Sequence, residues 1–566
     1  MSQSDQFNGR LGLIFASIGA AIGTGNIWRF PRMVGANGGG TFLIPWLIFL
    51  FAWSIPLVIA EYAMGKRSRT GTIGTFRIFA GRRFAWMGLW TAWISTAIGF
   101  YYAVVSGWTL KYFQLGITGA LNGEGVDTTE VWNAFLQSPG QVIFFQVIVI
   151  LLVLGTIWKG AKAIEKVNFY LMISLFALLC LTHFLSLWMD LSDGSLDGAL
   201  FMFTVDFDML MEPEVWINGL SQSAWSCSAG MGMCITYAVY MSKDEDTVLN
   251  AFTMGLANNS ISIIAGLAVL SAIFAVESDP LATVTGGSSA ITFLALPQVF
   301  AQAPGGAIGP LVMTAMFFLA LSFAALTSMI STVELCVRNF VDHGYDRERS
   351  VLITGLAIFI FGLPSAMLWI RLDNAGVAFP EFLEVQDHIW GYGLMFSGLF
   401  IAFSIWKYGY IKWRAAVDEG TAPPGFAGYL GLGVSAFRDD FINTGDNDIE
   451  VGRWWDVLIY VAFPVLFFIL MASYFSDMIA NTPNVWDPSN PKGLSIILLF
   501  WGVVAALFIA LNRKLIERPL YRNVPEGADA DISQLPGGSD ELIGQVGDVI
   551  AGFEHLSDSI DAELAD

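Results

Sequence analysis

Charge is scarce in this chain, and positive charge scarcest. Only 13% of the residues are charged, with 28 Lys and Arg against 48 Asp and Glu, for a net charge of −20. A basic footprint for nucleic acid is excluded. Cysteine and histidine are equally sparse, at four residues each. Cys180, Cys227, Cys234 and Cys336 all fall inside apolar runs. They read as small buried residues, and no disulfide is expected in an extramembrane loop. His183, His343, His388 and His555 are scattered. No zinc spacing, nucleophile elbow or phosphate loop stands out, so nothing supplies the chemistry of a membrane enzyme.

What is abundant is apolar sequence. The chain has 566 residues and is 55% hydrophobic. Charge-poor runs long enough to cross a bilayer recur about twelve times. They lie at roughly 11–36, 41–64, 85–113, 141–158, 164–188, 215–241, 249–276, 310–340, 351–370, 386–409, 456–478 and 493–512. The first is too long and too glycine-broken to be a signal peptide. Lys and Arg are missing from the joins 3–4, 5–6 and 7–8, and the joins 9–10 and 11–12 carry only Arg371 and Lys492. The opposite side holds Lys66, Arg67, Arg69, Arg82, Arg83, Lys159, Arg347 and Lys412 among others. The positive-inside rule therefore places both termini in the cytoplasm of a multi-pass cell-membrane protein.

The reading divides the chain into a cytoplasmic N-terminus (1–10), a ten-span core (11–409), a cytoplasmic loop (410–455), two last spans (456–512) and an acidic tail (513–566). The core has two parts, about 11–188 and 215–409. After Arg522 there are eleven Asp and Glu and no Lys or Arg. Leu542, Val546, Val549, Phe553, Leu556 and Ile560 form a short heptad stripe in that tail. It reads either as a frayed solvated end or as a helix docking on the basic loops or a partner. Packing of spans 11 and 12 against a second copy, as a homodimer, stays open. The segment 278–309 has an apolar centre, Ile291 to Leu296, and reads as a lid rather than a solvated loop.

Two spans are interrupted. Span 1 contains Gly19-Ala20-Ala21-Ile22-Gly23-Thr24-Gly25-Asn26, and span 6 contains Ser226-Cys227-Ser228-Ala229-Gly230-Met231-Gly232. In lipid, broken backbone is tolerated only where protein, water or a ligand satisfies it. Each break opens one half of a five-plus-five arrangement, which points to inverted repeats with a site at the midplane. Gly19 and Gly23 alone would be a helix-packing pair, but Gly25 and Asn26 turn the reading toward freed carbonyls and a hard amide oxygen for a cation. In span 8, Thr327 and Ser328 either bond back to their own helix or complete an oxygen cage. Asn258, Asn259 and Ser262 in span 7 face the bundle interior. Glu61 and Glu334 are intramembrane carboxylates that each need a partner, and broken-helix amides are plausible ones. Asp387 opens span 10 on the side where Arg29 also lies, and a water-bridged pair could form a gate.

Together these motifs resemble the neurotransmitter:sodium symporter family, the LeuT-type transporters. The resemblance covers about residues 7 to 512. It rests on Gly-x-Gly-Asn-x-x-Arg-Phe-Pro in span 1, Asn37-Gly38-Gly39-Gly40, Glu61 in Glu-x-Ala-Met-Gly, Tyr101-Tyr102, the span 6 break and Ala-x-Leu-Thr-Ser in span 8. It implies an all-α polytopic membrane protein with twelve transmembrane helices in a 5+5 inverted repeat. The implied activity is sodium-coupled uptake of a neutral L-amino acid by alternating access. Another carboxylate zwitterion of the betaine, GABA or taurine type is the alternative substrate, and a channel or sensor on the same scaffold the alternative class.

The resemblance also implies sites. One sodium takes the Ala21 carbonyl, Asn26, Ser226 and Asn258, with a substrate carboxylate. A second takes the Gly19, Ile22 and Ala324 carbonyls with Thr327 and Ser328. Tyr102 and the Gly25 amide meet the substrate carboxylate. Ala20, Ala21, Gly23, Thr24, Ile98, Ser226, Ser228, Met231, Ser331 and Thr332 line the pocket, under Trp225 as lid. Gly23, where monoamine carriers of the family have Asp, is expected to leave that space and charge vacant. Arg29, Asp387, Gln222 and Trp225 fall at the outer gate and Asp342 at the inner one. The family's inner-gate arginine aligns with Ser4, so Asp342 needs another cation. Many bacterial relatives carry a carboxylate where this chain has Ser262. A chloride ion held by Gln222, Ser226, Ser262 and Trp46, the last replacing a tyrosine, would supply the missing negative charge.

Overall fold

The structure, a computed structural model, describes residues 7, 10–122, 125–192, 194–242, 245–285, 287–368, 371–372, 378–379, 381–444 and 447–517. Ser4 and the stripe in the acidic tail lie outside the described residues.

Ten described helices are long and apolar enough to cross a membrane. They are Gly40–Ser68 (span 2), Arg82–Ile117 (span 3), Pro139–Ile157 (span 4), Ala161–Ser192 (span 5), Thr247–Val276 (span 7), Ile308–Asp342 (span 8), Arg347–Met367 (span 9), Glu381–Asp418 (span 10), Arg453–Asn481 (span 11) and Leu494–Leu515 (span 12). Span 1 is a bent pair, Leu11–Ala21 and Gly25–Ala36, meeting at 54°. Span 6 is Pro213–Ser226 followed by Met233–Ala238. With these two broken spans the count is twelve. The protein is thus an all-α polytopic membrane protein, apart from a two-residue antiparallel bridge between Arg371–Leu372 and Ala378–Phe379. Five spans is an odd number, so the second set enters from the opposite side, and its broken first span faces that of the first set. The helix of span 10 runs to Asp418, past the end read from hydropathy.

Local sequence explains many helix ends. Asp127 accepts the Thr129 amide at 2.8 Å and starts the helix Thr128–Leu136. Asp246 does the same for span 7 through Val248 and Leu249. Pro139 and Pro213 occupy first-turn positions, where a missing N–H costs nothing. Between spans, small residues permit close approach. A Cβ at Gly99 of span 3 would lie 3.0 Å from Thr332 of span 8, and one at Gly107 would lie 2.9 Å from the Gln146 backbone of span 4.

The exposed faces are apolar. Leu151, Phe176, Phe184, Phe361, Phe468 and Leu499 on spans 4, 5, 9, 11 and 12 are all exposed. Such a belt would be a liability in water and is what lipid requires. The lid segment forms the short apolar helix Ile291–Phe300. Ile291, Phe293 and Leu296 are buried, and Phe293 stacks on Trp132 with centroids 4.8 Å apart.

Candidate functional site

The break in span 1 is made by side chains that take backbone donors away from the helix. Gly23 N donates to Asn26 Oδ1 at 3.0 Å instead of to the Gly19 carbonyl. Thr24 N donates to the Tyr102 hydroxyl at 3.1 Å instead of to Ala20. Asn26 N turns to Gly23 O at 3.2 Å, leaving Ile22 without its helical donor. Carbonyls of Gly19 and Ile22 are thereby released within the span. The Ala20 carbonyl accepts from Ser228 Oγ at 3.1 Å, which ties the two broken spans together.

Span 8 brings hydroxyls to the released carbonyls. Ser328 Oγ lies 3.1 Å and Thr327 Oγ1 3.4 Å from Ile22 O. Thr327 Oγ1 also lies 3.0 Å from Ala324 O, so it bonds back to its own helix and reaches across at once. A Cβ on Gly19 would lie 3.2 Å from Thr327 Cβ. The five residues read as one cation set are therefore together.

The other set is also assembled. Asn26 Nδ2 lies 3.1 Å from Ser226 Oγ, 2.8 Å from Asn258 Oδ1, 3.3 Å from Asn258 O and 2.8 Å from Ser262 Oγ. All four residues are buried. An amide NH₂ has two protons, and here four oxygen atoms surround it. Four oxygens around two protons make this an oxygen-rich cluster with acceptor capacity to spare. Turning the amide over would add its own oxygen to that cluster and give up the bond from Gly23 N.

The walls carry no charge. Gly25 faces open space, since a Cβ there would meet nothing within 4 Å. Gly23 does not: a Cβ would lie 2.8 Å from Ser328 Oγ and 3.1 Å from the Tyr102 hydroxyl. The vacancy expected beside Gly23 is thus filled by those two hydroxyls and lies at Gly25 instead. Thr24, Ser228 and Met231 are buried nearby, and the Met231 carbonyl accepts from Ser95 Oγ at 2.7 Å. Ser228 itself holds a left-handed φ of 51°. Ile98 and Trp225 are partly buried. Ser331 turns its hydroxyl to Tyr237 at 2.7 Å, and Thr332 bonds back to Ser328 O at 2.9 Å.

At the rim, Arg29 and Asp387 form no ion pair. Arg29 donates to Gln222 Oε1 at 2.8 Å and Ser221 Oγ at 3.1 Å. Asp387 Oδ1 accepts from Tyr101 at 2.7 Å. Gln222 Nε2 reaches Gly25 O at 3.3 Å. The Trp46 indole N–H is buried without a hydrogen-bond partner among the described residues, and a Cβ on Gly219, one turn before Gln222, would lie 3.0 Å from the Trp46 amide.

At the opposite end, Asp342 has its cation on its own helix, Arg338 at 2.5 Å. A carboxylate at a helix C-terminus opposes the dipole. Here it is offset because Asp342 Oδ2 also accepts Gly71 N, at 2.6 Å, where the helix Thr72–Ala80 begins. Glu334 is paired with Arg347 at 2.5 Å and accepts from Tyr240. Removing Arg338 alone is expected to cost about 3–5 kcal/mol, because Asp342 stays buried without its partner. Replacing both, as Arg338→Met with Asp342→Asn, should recover most of it. Thermal melts of the purified protein check this, and equal melting points for single and double variants would contradict it.

Sequence reading did not single out Ser95, Ser221 or Arg338. Arg338 carried a signal, its i,i+4 spacing to Asp342. The others become visible only when distant spans are brought together.

The sequence and the fold have known counterparts. The sodium:neurotransmitter symporter family model matches residues 4–137 and 137–427. The uncharacterized sodium-dependent transporter YhdH of Bacillus subtilis is 31% identical over 415 residues, covering 71% of this chain and 88% of that one. The sodium-dependent neutral amino acid transporter SLC6A17 of Rattus norvegicus is 30% identical over 295 residues, 46% of this chain and 40% of that one. The crystal structure of MhsT in complex with L-phenylalanine superposes with a TM-score of 0.67 at 28% identity, covering 83% of this chain and 99% of that one. The chain belongs to the sodium:neurotransmitter symporter family. It is a sodium-dependent membrane transporter of the LeuT-type fold and not an enzyme.

Proposed function

We propose that the protein couples the entry of two Na⁺ to uptake of a neutral L-amino acid. The carrying observation is an uncharged pocket beside two oxygen cages. Tyr102 accepts from Thr24 N and so keeps its own O–H to donate. With no ionised side chain on the walls, the solute brings its own carboxylate, and Tyr102 and the Gly25 amide meet it. The naming of SLC6A17 as a neutral amino acid transporter and the phenylalanine in MhsT support that substrate class.

Substrate carboxylate and the sodium at Asn26 share one ligand shell, so each raises the affinity of the other, reciprocally. The Lys- and Arg-rich side is cytoplasmic, and spans 1, 2, 6 and 7 rock against spans 3, 4, 8 and 9. A chloride ion beside Ser262 and Gln222 would compensate the second sodium, with the free Trp46 N–H as one donor. Thermal stabilisation and uptake should be screened over the twenty amino acids plus betaine, GABA and taurine, in Na⁺ against K⁺ and Cl⁻ against gluconate. The expected response is to an uncharged side chain and only in Na⁺. No response to any carboxylate-bearing solute would overturn the reading, and full activity in gluconate would remove the chloride.

A further inference from the structure

The lid of the pocket is a tryptophan, and an indole needs somewhere to go. The structure shows where. A Cβ on Gly391 of span 10 would lie 2.9 Å from Trp225 Cη2 and 3.0 Å from Cζ2. It would also lie 3.4 Å from Asp387 Oδ1, which the Tyr101 hydroxyl holds at 2.7 Å. Two sides of that position are thus fixed, the span 10 backbone and the tethered carboxylate, and the indole tip closes the third. Only the indole can yield, by rotating about its side-chain bonds.

The direction in which it would yield is set by span 6. Trp225 follows Gln222 by three residues and shares its helix face. Gln222 reaches Gly25 O at 3.3 Å, and Gly25 borders open space. The indole tip thus rests on Gly391, on the face of span 6 whose Gln222 reaches toward the opening at Gly25. Pushed off Gly391, it is expected to swing toward that opening.

We infer that Gly391 is a socket for the Trp225 lid, and that this pair sets the largest side chain the pocket admits. The inference rests on the amino-acid reading above and adds to it a specificity residue on span 10. With glycine, the ring parks against bare backbone and leaves the pocket its full depth. With any side chain at 391, the ring stands in the pocket and large substrates lose room before small ones do.

The test is uptake into proteoliposomes of alanine, leucine and phenylalanine by wild type, Gly391→Ala, Trp225→Phe and the double variant. A lost methylene of space is worth about tenfold or more in discrimination. Gly391→Ala should lower the phenylalanine-to-alanine uptake ratio by about tenfold. Adding Trp225→Phe, which shortens the lid, should restore the ratio, and that rescue also shows that the glycine variant folds. Equal loss for all three amino acids, or no rescue by phenylalanine at 225, overturns the socket. So does wild-type uptake with an unchanged ratio in Gly391→Ala, while leaving the amino-acid reading standing. Absence of wild-type uptake of all three overturns the socket, whereas the amino-acid reading falls only if no carboxylate-bearing solute in the wider screen responds.

Discussion

Replacing Asn26 by leucine is expected to abolish sodium-dependent uptake, by at least about a hundredfold. Leucine has nearly the same shape, so packing is preserved while two polar tasks are lost. The first is the bond from Gly23 N to Oδ1 at 3.0 Å, which holds the break open and frees the Gly19 carbonyl. Without it Gly23 N returns to the helix, and one cation set loses an oxygen. The second is the centre of the cluster around Ser226, Asn258 and Ser262. Those oxygens stay buried with an apolar group among them in place of the amide that now bridges them. Both residue sets proposed to hold sodium are therefore damaged by one substitution. Uptake in Na⁺ against K⁺ measures the loss, and the sodium-dependent shift in melting temperature shows that the cause is binding. Ser328→Ala is the milder comparison, since it removes one hydroxyl from one set and leaves Gly23 where it is. Sodium-dependent uptake within tenfold of wild type in Asn26→Leu would mean that neither cage is needed.

How much of this was legible beforehand follows from what each feature depends on. The spans needed only local hydropathy. The span 6 break, read at Ser226 to Gly232, falls between helices ending at Ser226 and restarting at Met233, because its glycines and serines weaken the helix on the spot. Gly230 and Gly232 indeed take φ of 87° and 80°. The role of Gly23 was not legible, because it depends on Tyr102 and Ser328 arriving from two other spans. A glycine in a sequence says that something comes close, or that nothing is there, and only the fold says which. The same limit hid Gly391, whose meaning is a contact with Trp225. Arg29 and Asp387 read as a water-bridged pair from their shared side, and what the sequence does not carry is the direct neighbour of each, Gln222 for one and Tyr101 for the other. A family pattern places residues at the right level of the membrane, but their bonds depend on rotamers it does not carry.

Glu61 is the second residue whose loss should be severe. It is fully buried in span 2, and its Oε1 accepts Gly230 N at 2.5 Å. Its Oε2 is buried close to the start of the second half of span 6 and has no hydrogen-bond partner among the described residues. The Gly230 amide lies in the break, just before span 6 restarts at Met233. Glu61 thus does for the second broken span what Asn26 does for the first, but from another helix. Glu61→Ala leaves the Gly230 amide without an acceptor in a dry interior, a cost of about 1–3 kcal/mol for that group alone. It also unties span 6 from span 2. Uptake should vanish and the melting temperature fall by several degrees. Glu61→Gln separates the two roles of the carboxylate, because its amide oxygen can still accept from Gly230 while the charge is gone. It should fold and transport within about tenfold of wild type if acceptance of the amide is what matters. Should glutamine be as damaging as alanine while the melting temperature stays at the wild-type value, the carboxylate itself takes part in the transport cycle and capping is not its main task.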